Sequence, residues 1–234
     1  MLDAREAVGE SFPERFPTVF EACRRHGLDP RKRPIPIAPA AHYHMGGVEV
    51  DLDGRTRVRG LWAAGEVACT GVHGANRLAS TSLLEGLVFG ACVARSVRDA
   101  LPRLPRPHDV AGRAGEVASV AEEAVEVEAE IRQLMWEKVG LVRSAAGLRE
   151  AIARFDELAE CVPPKSRSGS LITVARLVAT AALARPESRG AHFRSDHPAA
   201  EPAWRRRILL SADGSAIRLE TQPVGDPEAV EVCA

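Results

Sequence analysis

The sequence predicts an α/β fold in which part of a strand-and-helix layer is followed by a three-helix bundle. Three observations carry this. Short apolar runs bounded by glycine fill the first hundred residues, a Pro-Arg-Leu segment follows, and helical periodicity then runs from about Gly115 to Ala184. The expected regions are 1–101 for the first layer, 102–114 for a linker, 115–196 for the helical domain and 197–234 for an irregular tail.

In the first region, Asp53-Gly54 reads as a turn between β-like segments Val48 to Leu52 and Thr56 to Val58. Leu61-Trp62-Ala63-Ala64, between Gly60 and Gly65, fits a buried strand. The run from Leu83 to Ala94 is apolar on nearly every side, so it is expected as a buried helix whose small residues permit close approach to a sheet. Pro102 to Pro107 reads as a linker. Val117, Val120, Ala121, Ala124, Val127, Ile131, Leu134 and Met135 then recur at helix spacing, with glutamates on the other face and Gly140 as a stop. A second helix carries Leu148, Ile152, Phe155 and Leu158, and Pro163-Pro164 interrupt it. A third, from Leu171 to about Ala184, is expected to turn Leu171, Val174, Val178 and Ala182 inward. Joined by short turns, the three make an antiparallel bundle.

Composition narrows the function classes. Of 234 residues, 45% are hydrophobic and 27% charged, which is ordinary for a globular protein. Lysine and arginine total 31 against 32 acids, so no nucleic-acid partner is expected. No apolar stretch reaches the length of a membrane span, and Met1 to Arg15 does not read as a secretory signal. Five scattered cysteines without a C-x-x-C pair point away from a disulfide framework or a zinc site, and a reducing cytoplasm is expected.

Three stretches carry chemistry. In Pro39-Ala40-Ala41-His42-Tyr43-His44-Met45-Gly46-Gly47, two imidazoles lie beside glycines that permit close backbone approach; a hydrogen-bonded loop histidine explains the pattern equally well. No cysteine or carboxylate lies at metal-ligand spacing, so no metal is expected there. Gly65-Glu66 puts a carboxylate just past the expected strand, where open α/β sheets bind ligands and a sugar hydroxyl can be held. Gly71 to Glu85 combines glycines, Arg77 and the hydroxyls of Ser80, Thr81 and Ser82 at the start of a helix. That helix start is suited to an anion, and Arg77 one turn ahead is suited to a carboxylate. A capped helix with a surface arginine is the bland alternative.

Taken together, Pro39 to Tyr43, Gly60-Leu61-Trp62-Ala63-Ala64-Gly65-Glu66-Val67 and His73-Gly74-Ala75-Asn76-Arg77-Leu78-Ala79-Ser80 closely resemble the C-terminal part of the FAD domain in the succinate dehydrogenase and fumarate reductase flavoprotein family. Within it the wording is most similar to the L-aspartate oxidases. Glu187 to Arg194 resembles the family's C-terminal region, so the likeness spans nearly the whole chain and fades after about Leu210.

The resemblance implies that His42 and Arg77 bind a dicarboxylate substrate, L-aspartate. It further implies that Glu66 holds the ribityl or ribose part of FAD, and that Ser82 and Leu83 present backbone groups to the flavin. None of these is expected to be a catalytic acid or base. The implied reaction is oxidation of L-aspartate to iminoaspartate, feeding NAD biosynthesis. No G-x-G-x-x-G, the family's pyrophosphate anchor, occurs in the 234 residues. The family's catalytic arginine and another substrate histidine are likewise expected ahead of Met1. A truncated gene, a misassigned start and one half of a split enzyme, with the N-terminal half as a separate partner chain, are the three readings. Each makes the isolated chain inactive. The alternatives are a fragment of a succinate dehydrogenase or fumarate reductase flavoprotein, or a non-catalytic remnant that mediates assembly.

Overall fold

The computed structural model describes residues 1–103, 122–213 and 216–224. The chain divides into two compact units, Met1–Ala41 and His42–Ala234.

In the first unit, α1 (Phe12–Arg15) and α2 (Pro17–Arg25) each begin with a proline in the first helical turn, where a missing N–H costs nothing. The Phe12 ring is buried against Phe16 and Phe20, at centroid distances of 5.5 and 6.4 Å. Leu2 and Ile35 exchange two backbone hydrogen bonds of 2.8 Å, which tie the unit's start to its end.

The second unit opens with a minimal parallel pair, β1 (Val48–Glu49) against β2 (Ala68–Cys69), in the register Val48 to Ala68. Between them lies the expected Asp-Gly turn. The Asp51 carboxylate accepts from the N–H groups of Asp53 and Arg55 at 2.9 and 2.8 Å. Gly54, at φ +72°, presses so closely on α3 (Thr81–Ala100) that a Cβ there would overlap Val93.

The buried strand expected at Leu61 to Ala64 is absent. Leu61 is 49% exposed, and the run makes a single bridge, Arg55 to Trp62. A short apolar run becomes a strand only where neighbours pair with it. Here Trp62 is instead fixed by its indole N–H, which donates to the buried Ser96 Oγ of α3 at 2.9 Å. The helix expected to be buried is also half uncovered. Glu85 and Ser96 are its buried residues, while Leu83, Leu84, Leu87 and Val88 are 59–74% exposed along the opposite face. The expected linker falls mostly outside the described residues; its start, Leu101–Arg103, is a short 3-10 turn.

Three helices follow: α4 (Glu122–Glu137), α5 (Ala145–Cys161) and α6 (Arg167–Ala184). Serine caps two of them, Ser144 Oγ accepting from Gly147 N at 3.2 Å and Ser166 Oγ from Gly169 N at 3.0 Å. They share one core of Ile131, Val139, Leu148, Ala151, Phe155, Leu158, Ile172, Ala175, Ala179 and Ala182. The α5 stripe matches expectation at Leu148, Phe155 and Leu158, all buried. In α6 the expectation holds at Ala182, which is buried, and in part at Leu171 and Val178, which pack half-buried on the core; Val174 is 54% exposed, and Ile172, Ala175 and Ala179 take the innermost places. Apolar residues outnumber Thr173, Arg176 and Thr180 on this helix, so periodicity left its phase weakly determined, and the small alanines win because they let α5 and α6 approach closely.

The tail expected to be irregular contains an antiparallel hairpin, β3 (Arg206–Asp213) paired with β4 (Ala216–Pro223). Alternation of Ile217, Leu219 and Thr221 with charged and polar residues marks the second strand in the sequence. The Arg and Pro content around it masked that signal. Among the described residues, no helix is long and apolar enough to cross a membrane.

Candidate functional site

The segment after His42 meets the loop from Thr70 to Ser80 and the first turn of α3, and a polar network joins them. Glu85 is buried one turn into α3, in an otherwise apolar run, so its carboxylate needs partners. It finds three. Thr70 Oγ1 donates to it at 2.5 Å, His73 Nε2 lies 2.7 Å away and the Tyr43 hydroxyl donates at 3.3 Å. Burial and the Glu85 charge raise the Tyr43 phenol above its usual range, so it stays protonated and keeps donating. The Tyr43 and His73 rings meet edge to face at 5.2 Å.

Arg77 rests on this assembly. Its guanidinium carbon lies 4.6 Å over the Tyr43 ring, and Nη1 donates to the Leu78 carbonyl at 3.2 Å. Two buried nitrogens of the cluster, Arg77 Nε and His73 Nδ1, have no hydrogen-bond partner. The guanidinium thus spends little of its hydrogen-bonding capacity inside the described residues, where the Leu78 carbonyl accepts from it.

The residues expected from sequence fall around this cluster. His42 is exposed and immediately precedes Tyr43, the residue on whose ring Arg77 rests. Glu66 Oε1 accepts from the His44 N–H at 3.0 Å, which ties the Gly65-Glu66 corner to the histidine segment. Ser82 and Leu83 stand in the first turn of α3, with Leu83 71% exposed.

The capping expectation fails. Ser80 occupies the position before the helix in a left-handed conformation, φ +65°, and no side-chain oxygen caps the first turn. A left-handed non-glycine residue at such a place is a strained one. Within the chain, the Thr81 and Leu83 N–H groups donate to the Leu78 and Ser80 carbonyls at 3.3 and 3.1 Å, so backbone rather than side chain satisfies much of this turn.

Thr70, Tyr43, His73 and Glu85 were not singled out in the sequence as site residues. A detectable signal existed at Glu85, because a lone carboxylate inside Leu83-Leu84-Glu85-Gly86-Leu87 must be buried with partners or break the helix's apolar face.

Residues 1–83 match the FAD binding domain model, and residues 164–232 match the fumarate reductase flavoprotein C-terminal model. The L-aspartate oxidase of Rhodospirillum rubrum is 52% identical over 211 residues, covering 88% of this chain and 74% of that protein. That of Caulobacter vibrioides is 45% identical, covering 91% of this chain and 39% of the relative. The chain therefore spans about three quarters of the first and about two fifths of the second. Among solved structures, a quinol-fumarate reductase with menaquinol superimposes with a TM-score of 0.74 at 32% identity, over 96% of this chain and 44% of its own. E. coli quinol fumarate reductase gives 0.67 at 31% identity, over 91% and 42%.

Proposed function

This chain belongs to the L-aspartate oxidase family, and on that premise we propose that it forms the C-terminal part of an FAD-dependent enzyme converting L-aspartate to iminoaspartate for NAD biosynthesis in the cytoplasm. The observation that carries the reading is the Arg77 guanidinium held over Tyr43, on the buried Glu85–His73–Thr70 network, a few residues ahead of α3.

In this reading Arg77 and His42 each take one end of the dicarboxylate. Tyr43 supports the guanidinium from below, and the Glu85–His73–Thr70 network fixes Tyr43. Glu66 is placed to accept from a ribityl or ribose hydroxyl. Ser82 and Leu83 present the first-turn backbone of α3, whose positive end favours negative charge. Bound FAD supplies the two-electron acceptor for the substrate's carbon–hydrogen bond. Holding both carboxylates fixes that bond in one orientation, and positioning of this kind accounts for much of such a rate enhancement.

The pyrophosphate of FAD needs a glycine-rich turn that the 234 residues do not contain. We assign that role to a segment packing on the exposed Leu83, Leu84, Leu87 and Val88 face of α3. The three packed helices are read as a bundle that supports the site.

The test supplies the remainder of the flavoprotein to this chain, loads FAD, and compares hydrogen peroxide formed from L-aspartate with oxidation of succinate by a quinone acceptor. Aspartate turnover well above succinate turnover is expected. Comparable succinate turnover overturns the substrate assignment in favour of a succinate dehydrogenase or fumarate reductase flavoprotein. Stoichiometric flavin and steady turnover by the 234-residue chain alone overturn the assignment of the cradle to another segment.

A further inference from the structure

We propose that the turn Arg189–His192 is a positioning element for Arg77, with Gly190 as its point of contact. The proposal rests on the reading that Arg77 holds a substrate carboxylate. The Ala191 N–H donates to the Ala75 carbonyl at 3.0 Å, midway between His73 and Arg77. Gly190, at φ +58°, lies so close that a Cβ would overlap that same carbonyl oxygen. Further along, the Arg207 guanidinium of β3 occupies the space a side chain at Gly71 would need. The loop that carries Arg77 is therefore held at Ala75 from the C-terminal side, while Glu85 grips His73 from α3.

A grip positions only if it is itself rigid, and this one is. Arg189 and His192 exchange two backbone hydrogen bonds, of 2.8 and 3.0 Å, closing the turn. Beneath it the fully buried Glu187 accepts from Arg189 Nε and Nη2, both at 2.9 Å, from Arg185 Nη1 at 2.6 Å, and from the Glu201 N–H at 2.8 Å. The His192 ring is pinned between Arg143 Nη1, 2.8 Å from Nδ1, and the Arg185 carbonyl, 3.2 Å from Nε2. Arg194 is also buried, with Asp196 and the carbonyls ending α6 as its partners. Such a concentration of buried charge is an expensive way to stabilise a loop and an effective way to give it one geometry. What their rigidity delivers to the site passes through Ala75.

The test is Gly190→Ala in the FAD-loaded enzyme containing this chain, beside Gly27→Ala and Arg77→Lys. Gly27 shares the left-handed backbone, φ +69°, but has open space around it, so it controls for backbone strain. Expected for Gly190→Ala is a rise of at least about fivefold in the KM for L-aspartate at unchanged flavin content, and at least about tenfold faster amide exchange over residues 72–78, with α5 and α6 still protected. Gly27→Ala leaves both unchanged. If Gly190→Ala does not retain flavin, Arg189→Gln, which loosens the turn without adding atoms to the contact, carries the same expectation for KM. Wild-type KM in a flavin-loaded Gly190→Ala or Arg189→Gln enzyme overturns the proposal. Wild-type kinetics in Arg77→Lys overturn the underlying substrate reading instead, and the exchange data then still report whether the turn holds the loop.

Discussion

Replacing Glu187 by glutamine removes one charge and almost no volume, and the structure fixes what that change costs. Burial alone would push this carboxyl up, but Arg189, the Glu201 N–H and Arg185 together hold it down, from an ordinary 4.5 to about 2. A group depressed on folding stabilises the native state above its unfolded pKa, and that stability is lost as pH falls through the folded value. Held this low, the carboxylate contributes about 3 kcal/mol at pH 7, falling to about 2 kcal/mol by pH 3.5. Glutamine stands in for the protonated form, so Glu187→Gln is expected to lose about 3 kcal/mol at pH 7 and progressively less below pH 4.5. Urea unfolding of the chain, followed by far-UV circular dichroism at pH 7, 5 and 3.5, measures both quantities. A loss under about 1 kcal/mol at pH 7, or a loss as large at pH 3.5 as at pH 7, refutes the view that ionised Glu187 organises the C-terminal turn.

Two further outcomes are expected. Arg77→Lys in the FAD-loaded enzyme loses at least about tenfold in kcat/KM for L-aspartate, about 1.4 kcal/mol, because an ammonium cannot reproduce the two-pronged contact; steady-state kinetics check this. Phe155→Ala, at a fully buried position between α4, α5 and α6, destabilises by about 3–5 kcal/mol in the same urea assay, and a loss below about 1 kcal/mol would remove it from the core.

How much of this was legible depends on where the deciding partner lies. The α5 stripe was readable because Leu148, Phe155 and Leu158 stand out against charged neighbours within one helix. The phase of α6 was not, because Leu171 to Ala184 offers apolar residues on every side and α5 alone decides which face is covered. Leu61 to Ala64 looked like a buried strand for want of knowing its neighbours. In the site, Arg77 and Glu66 were readable from their chemistry and position and His42 from motif wording; the structure sets Arg77 over Tyr43 and ties Glu66 to the His44 N–H. The Glu85–His73–Tyr43 network escaped because its members come from three segments: the lone Glu85 signals a need for partners, and only folding shows which residues supply them.

The alanines between α5 and α6 bear on how a saturation-mutagenesis map of this protein will look. Ala151, Ala175 and Ala179 are 0–3% exposed, so any larger side chain must force the helices apart at a cost of about 1–3 kcal/mol or more. Such positions will empty out of a selected library almost as completely as Arg77. The two kinds of emptiness differ in what refills them. Glycine or serine at Ala179, or selection at lower temperature, will repopulate the helix contact, because only space and stability are at stake there. No small residue and no cooler plate will repopulate Arg77, so a scan at two temperatures sorts the scaffold from the chemistry without a single enzyme assay.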